Sequence, residues 1–112
     1  MRFDHEKLDV YQKSIEFVAL ADQIVEKLPR GRSHLADQLH RAATSISLNI
    51  AEGAGEYAQN EKSRFYRMAK RSATECASIL DVLHCLALIQ VTDFQKGREL
   101  LLRIVAMLTK MA

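Results

Sequence analysis

A row of polar side chains on one face of a predicted helix is the part of the sequence best placed to do chemistry. Its members recur at steps of three and four residues, within a sector about 80° wide at 100° per residue. The row consists of His34, Gln38, Arg41, Ser45, Asn49 and Glu52. Ser72 and Glu75 stand on the next helix, where its apolar stripe would otherwise continue. Buried polar groups need partners, so we expect Arg41 to pair with Glu75 and Asn49 with Ser72.

Two interpretations of this row remain open. It is either a structural network that fixes helix register or a subunit interface, which we favour, or a small-ligand or acid–base site. The predicted structural network comprises Gln38, Arg41, Ser45, Asn49, Glu52, Ser72 and Glu75. Ser45 has no histidine three or four residues away that could activate it as a nucleophile. We therefore predict no catalytic residue here.

Metal and cofactor sites are also not expected. Bundles that bind two irons use paired Glu-x-x-His motifs, whereas this chain offers only one related pattern, Asp81-x-x-His84. Gly53-Ala54-Gly55 follows a helix and lacks the spacing of a phosphate-binding loop. Cys76 and Cys85 lie nine residues apart on one predicted helix, too far apart to pair within it, and we expect both to be reduced core thiols.

A basic stripe opens the third predicted helix. It comprises Lys62, Arg64, Arg67, Lys70 and Arg71. No acidic residue interrupts it between Glu61 and Glu75, and Tyr66 sits among the cations, where it could stack on a base. The stripe is a candidate phosphate-binding surface for nucleic acid. The alternative is a solvated helix face, paired with acids on a neighbour.

Four amphipathic helices must position these residues. The first runs from about Lys7 to Leu28, with an expected core stripe of Tyr11, Ile15, Val18, Ala21, Val25 and Leu28. Pro29-Arg30-Gly31-Arg32 turns the chain after the first helix. Ser33 is the expected N-cap of the second helix. That helix should end at Gly53 and Gly55, because glycine readily takes the left-handed backbone conformation. The stripe of the second helix is Leu35, Leu39, Ala42, Ala43, Ile46 and Ile50. Asn60 should cap a third helix reaching about Leu88, and Thr92 with Gln95 should form a capping box for the fourth.

These elements predict an all-α, antiparallel up-down-up-down four-helix bundle, with residues 1–112 forming one domain. One proline and four glycines are too few turn signals for an all-β fold. Sixteen basic and fourteen acidic residues give a net charge of +2, too weak to indicate nucleic-acid binding by itself. The first residues lack an apolar signal region, and no apolar run is longer than Phe17–Ala21, which cannot span a bilayer, so we expect a cytoplasmic protein without a membrane partner.

Extra apolar residues predict self-association. They are Phe17, Leu20 and Ile24 on the first helix, Leu100, Leu102 and Met107 on the fourth, and Leu48 on the second. A monomer would expose them as a patch, and such patches usually mark interfaces. We predict a homo-oligomer with cyclic symmetry.

Three stretches of the chain resemble a known family, the four-helix bundle proteins encoded in 23S ribosomal RNA intervening sequences. They are Gln38–Gly53, the run from Phe65 through Ala69 to Glu75, and Leu8–Lys13. Ser47 stands where many members carry proline, and Arg71 where glycine usually precedes the serine. The likeness covers nearly the whole chain.

This resemblance implies a ring-shaped homopentamer without enzyme activity. A distant relative of the family binds a reverse transcriptase and nucleic acid in diversity-generating retroelements, which implies an accessory role linked to nucleic acid. The leading hypothesis is therefore an oligomeric bundle that binds RNA or a nucleic-acid enzyme through its basic surface. The alternative is a structural or protein-interaction ring with no nucleic-acid contact.

Overall fold

A computed structural model describes all 112 residues, and every regular element in it is helical. A short 3₁₀ helix, Asp4–Lys7, precedes four α-helices. These are α1 (Asp9–Glu26), α2 (Ser33–Ala54), α3 (Gln59–Cys85) and α4 (Val91–Met111). The all-α prediction is confirmed. None of the helices combines the length and the apolar character needed to cross a membrane.

The four helices form an antiparallel bundle. Each of α1 and α3 packs against both α2 and α4, whereas α2 lies diagonally across the bundle from α4, and α1 from α3. Between α2 and α3, Ser45 meets Ser72 and Gly53 lies against Tyr66, so the residue numbers run in opposite directions. The numbering is reversed in the same way at the other three contacts between helices. Ser14 meets Ser47 and Asp22 meets His40 between α1 and α2, and Leu80 meets Gly97 and His84 meets Phe94 between α3 and α4. Between α1 and α4, Phe17 lies near Gly97, and Lys27, which directly follows α1, pairs with Asp93. Neighbours in the chain are thus neighbours in space.

The core is one continuous apolar cluster to which all four helices contribute side chains. The stripe predicted for α2 is confirmed, because all six of its residues are buried. Leu80, Leu83, Ile104 and Leu108 close the other side of the core, each at most 1% exposed.

The predicted core face of α1 is confirmed only in part, because Ile15 is exposed, whereas Ala21 is buried and the other members of the stripe are half-buried against the core, namely Tyr11, Val18, Val25 and Leu28. The buried residues of α1 are Val10, Ser14, Phe17, Leu20, Ala21 and Ile24, whereas Ile15 is 45% exposed. Ser14 breaks the apolar pattern of this true core face, yet it is fully buried because its hydroxyl lies 2.8 Å from the Ser47 hydroxyl on α2 and donates to the carbonyl oxygen of Tyr11.

Most of the predicted surface patch is buried, or half-buried, in the structure. Phe17, Leu20 and Ile24 lie in the core, and Leu100 and Met107 are half-buried. Leu48 on α2 and Leu102 on α4 remain, 60% and 58% exposed. Two separate leucines therefore take the place of one broad patch.

The predicted helix starts were also wrong in detail. The residues at the N-cap positions of α2, α3 and α4 are Arg32, Ala58 and Gln90, and none makes a side-chain cap bond. Ser33 is instead the first residue of α2, and Asn60 and Thr92 are second in their helices. No side chain therefore caps the free N–H groups in the first turns of these three helices.

The helix ends differ from expectation as well. Gly55 follows α2 with φ −85°, so it is not left-handed, and Gly53 lies inside the helix. Helix α3 ends at Cys85, and Ala87 takes the left-handed conformation with φ 57°. The N–H groups of Ala87 and Leu88 donate to the carbonyls of His84 and Leu83, which is a Schellman motif with alanine in the position usually held by glycine.

Candidate functional site

Arg64, the second cation of the basic stripe, is already engaged within the chain. Its guanidinium donates twice to a carboxylate oxygen of Glu61, at 3.0 and 3.2 Å, and lies 4.4 Å from the centre of the Phe65 ring. Both charged side chains are about half exposed. The ion pair places a carboxylate beside any phosphate that approaches Arg64, so Arg64 is a weaker anion site than its exposure indicates.

Lys62 has a structural contact that the sequence did not reveal. Its ammonium group donates to the carbonyl oxygens of Gly53 and Ala54, at 3.2 and 3.1 Å, at the end of α2. The last carbonyls of a helix lack partners within the helix and carry partial negative charge, which a cation stabilises. Lys62 therefore ties the start of α3 to the end of α2.

Three cations of the stripe remain free of acidic partners. Arg67 and Arg71 are exposed, Lys70 is half-buried, and no carboxylate lies within ion-pair distance of any of them. Arg67 and Arg71 are four residues apart, so they are neighbours on one face of the helix, about 6 Å apart. These three residues, named the free cation cluster below, can accept phosphate oxygens without first breaking an ion pair.

Tyr66 cannot stack on a base, and the sequence prediction for it was wrong. Only 6% of the residue is exposed, and its ring lies across the backbone of Gly53. Burial raises the pKa of its phenol above the ordinary value of 10.0. The missing side chain of Gly53 makes room for this ring, since a Cβ there would lie 2.7 Å from Tyr66 Cε1.

The centre of the predicted polar row is a small hydrogen-bonded cluster between α2 and α3. The hydroxyls of Ser45 and Ser72 lie 2.9 Å apart. The amide nitrogen of Asn49 donates to the carbonyl oxygen of Ser45 at 2.9 Å and to its hydroxyl at 3.0 Å. All three side chains are half-buried. The predicted direct pair of Asn49 and Ser72 was wrong, because Asn49 bonds to Ser45 and the hydroxyl of Ser45 is the one that meets Ser72.

The predicted pair of Arg41 and Glu75 was wrong. Both residues are exposed, and no ion pair joins them. Each charge stays hydrated on the rim of the two helices, because burying it would cost more than the pairing returns. The outer members of the row, His34, Gln38 and Glu52, are exposed as well.

Two open grooves flank the serine–asparagine cluster. One has a volume of about 660 Å³ and the other about 340 Å³, and they share Ser45 and Asn49. The larger groove is lined by Asp37, His40, Arg41, Thr44, Ser45, Leu48, Asn49, Glu52 and Phe65. Met68, Arg71, Ser72 and Glu75 complete the smaller one. Each groove is lined by both carboxylate and guanidinium groups, so its charge is mixed.

The cysteines differ in their surroundings. Cys76 is buried, and burial, together with the negative charge of Glu75, raises the pKa of its thiol to about 12. Cys85 is exposed at the end of α3, so its predicted core position was wrong. At no point do three or more histidine, cysteine, aspartate or glutamate side chains converge as they would around a metal ion.

Comparison with known proteins relates the chain to one family and to solved structures of the same fold. The family model of the 23S rRNA-intervening sequence protein matches residues 6–110. A crystal structure of a protein of unknown function from the S23 ribosomal protein family of Bacteroides thetaiotaomicron is similar in fold, with 21% sequence identity and a TM-score of 0.84. That similarity covers 91% of this chain and 96% of the other. No curated protein is detectably similar in sequence.

Proposed function

The chain belongs to the 23S rRNA-intervening sequence protein family, and from that premise we propose that it is an oligomeric, non-enzymatic accessory protein that binds RNA. Its place of action is the cytoplasm, where two unpaired cysteines stay reduced. The name of the family links its members to ribosomal RNA, which supports a partner of this class.

The free cation cluster is the observation that carries the proposal. Arg67, Lys70 and Arg71 lie close together on α3, and none of them has an acidic partner within ion-pair distance. Phosphate contacts from lysine and arginine supply most of the affinity in RNA binding without sequence preference. The exposed groove beside the cluster carries Glu75, so the contact is expected along the outer face of α3 and not within the groove.

Three cations in one subunit are too few for tight binding, so the function requires assembly. Each neutralised phosphate releases counterions, and a handful of such contacts is weak at physiological salt. A homopentamer presents the cluster five times, and linked weak sites gain from effective concentration. Binding should therefore be steeply salt-dependent and should fail in a monomer.

Fluorescence anisotropy with labelled single-stranded and hairpin RNA, at low and physiological salt, tests the proposal. The variant Arg67→Glu/Arg71→Glu should stay folded and lose binding, because both side chains are exposed. The matched control is Lys7→Glu/Arg30→Glu, with the same charge change at exposed positions outside α3, and it should still bind. Absence of wild-type binding at low salt, or equal binding by both variants, would reject the proposal.

A protein-interaction ring without nucleic-acid contact is the second candidate function. The two grooves beside Ser45 favour it, because their mixed charge and exposed Leu48 suit a protein surface better than a phosphate backbone. An assembled wild-type protein that binds no RNA at low salt would support this candidate.

A further inference from the structure

An open cleft lies at the end of the bundle where the first residues of the chain meet the last turn of α2. Its lining consists of Phe3, Asp4, His5, Ala51, Glu52 and Gly55, and its volume is about 350 Å³. This surface is named the N-terminal cleft below. It shares no residue with the free cation cluster, so it is separate from the surface proposed to bind RNA.

An exposed aromatic ring forms one wall of the N-terminal cleft. Phe3 is 73% exposed, and its ring stacks on the His5 ring with 5.6 Å between the ring centres and 16° between the ring planes. The His5 ring packs edge-on against Tyr11 of α1, with 4.6 Å between the centres. Phe3 is thus the outermost of three rings, and most of its surface is left uncovered. Such a ring can stack on a planar group.

Hydrogen bonds hold this ring in place although it lies close to the start of the chain. The N–H of Phe3 donates to Glu6 Oε1, and the N–H of Glu6 donates to the carbonyl oxygen of Phe3, each at 3.1 Å. The side chain of Gln12 donates to the carbonyl oxygen of Glu6 at 3.3 Å, which ties the 3₁₀ helix to α1. A residue that is already fixed loses little conformational entropy when a ligand binds. The aromatic wall is therefore preorganised.

The charges in the N-terminal cleft select its ligand. Asp4 and Glu52 are both exposed, and neither has a cation within ion-pair distance. Arg2 and Lys7 belong to the same segment of the chain as Asp4, but neither of them lines the cleft. Glu52 also lies in the last turn of α2, where a helix carries partial negative charge. A cation is therefore favoured here, whereas the phosphates of a nucleic acid would be repelled.

An arginine side chain matches this lining better than any other cationic side chain. Its guanidinium group is planar, so it stacks on an aromatic ring and at the same time donates two parallel hydrogen bonds to a carboxylate. A further acceptor is the backbone carbonyl of Glu52, since the N–H of Glu56 donates instead to the carbonyl of Gly53. The ammonium group of lysine is compact and strongly hydrated, and it has no plane to stack.

We propose that the N-terminal cleft binds an arginine side chain in a basic peptide segment of a partner protein. The guanidinium stacks on Phe3 and donates to the carboxylate of Glu52, with Asp4 adding a second negative charge. A cavity of roughly 150 Å³ accepts a benzene-sized molecule, so the cleft has room for this group and part of its stem. The proposal goes beyond the proposed function, because it gives each subunit a protein-binding site apart from its RNA-binding surface.

Fluorescence anisotropy with short labelled peptides tests the proposal. One peptide carries arginines in a glycine–serine sequence, and the other carries lysines at the same positions, so the two have equal charge. Phe3→Ala removes the stacking ring, and Glu52→Gln removes the carboxylate. The matched controls are Tyr57→Ala and Glu56→Gln, since both residues follow α2 at the same end of the bundle but lie outside the cleft. Circular dichroism confirms that each variant is folded.

The wild type should bind the arginine peptide about tenfold more tightly than the lysine peptide, because lysine cannot make the stacked, bidentate contact. Phe3→Ala and Glu52→Gln should each weaken that binding by about tenfold, and the two controls should bind as the wild type does. Equal affinity for the two peptides, absence of saturable binding, or unchanged binding by Phe3→Ala would overturn the proposal.

Labelled single-stranded RNA is the second probe, and it should bind the wild type and Phe3→Ala equally. A loss of RNA affinity in Phe3→Ala would overturn the proposal, because the ring would then stack on a base. Since the cleft and the free cation cluster share no residue, the two proposals can fail separately. A protein that binds the arginine peptide but no RNA contradicts only the proposed function, and one that binds RNA but not the peptide contradicts only this site.

Discussion

Replacing Gly53 by alanine tests the closest approach between α2 and α3. Gly53 is buried in the last turn of α2, with the Tyr66 ring lying over it. A Cβ at this position would meet Tyr66 Cε1 at 2.7 Å, Tyr66 Cδ1 at 2.9 Å and Phe65 Cβ at 3.1 Å. Ordinary van der Waals contacts of a Cβ begin near 3.4 Å, so the ring or the helix must move.

Two opposing effects set the size of the change. Alanine is a better helix former than glycine by about 1 kcal/mol. Overpacking a well-filled site costs about 1–3 kcal/mol, and the upper part of that range applies here because a rigid ring and a backbone-linked Cβ both stand in the way. The free energy of unfolding should therefore fall by about 1–2 kcal/mol. For a domain of this size that lowers the Tm by roughly 4–15 °C.

Thermal and urea unfolding at one fixed protein concentration would measure the effect, since assembly makes the Tm depend on concentration. Gly55→Ala is the matched control, because Gly55 has φ −85° and a Cβ there would meet nothing closer than 3.7 Å. It should be neutral or slightly stabilising. In a Tyr66→Leu background the cost of Gly53→Ala should shrink, which isolates the clash as a coupling energy.

The result that would refute this reasoning is a Gly53→Ala protein at least as stable as the wild type and indistinguishable from Gly55→Ala. Such a result would mean that the Tyr66 ring does not lie on the end of α2. Tyr66 would then be free to leave the core, and the sequence prediction that it stacks on a base would have to be considered again.

Two further predictions concern the end of α3 and its buried thiol. Ala87→Gly should raise the free energy of unfolding by about 1 kcal/mol, because the Cβ of alanine is sterically unfavourable at φ 57° and glycine has none. Urea unfolding would measure this gain. A loss of stability would contradict the left-handed conformation of residue 87. For Cys76, the folded chain keeps its proton up to about pH 12, whereas the unfolded chain loses it near the ordinary value of 9.0. The unfolded state then binds fewer protons, so stability should fall by about 1.4 kcal/mol for each pH unit above 9. Between pH 8 and 10, urea unfolding should show a total loss about 1.4 kcal/mol larger in the wild type than in Cys76→Ala, and equal losses would count against burial of the thiol.

Helix number, order and the α2 core stripe could be predicted because each depends on local pattern. Leu39, Ile46 and Ile50 recur with the helical period, and no polar residue interrupts them on that face. The core face of α1 could not be predicted in the same way. Ser14 counts as polar in any periodic pattern, and only the partner hydroxyl of Ser47 on another helix explains its burial.

The candidate site was predictable in position but not in detail. The sequence places Arg67 and Arg71 on one exposed face of α3, and the structure has them there. Lys62 and Tyr66 lie in the same stretch, yet one binds the end of α2 and the other covers Gly53. The direction of a side chain depends on the helix packed beside it, and the distance between two packed helices cannot be derived from a single sequence.

The buried serine pair gives the chain a preferred order of mutation. Ser14 donates its proton to the carbonyl of Tyr11, so in the bond between the hydroxyls Ser47 must be the donor. Losing Ser47 first leaves the Ser14 proton satisfied, whereas losing Ser14 first strands the Ser47 donor in the core at a cost of about 1–3 kcal/mol. A mutational path that removes both hydroxyls should therefore change residue 47 before residue 14.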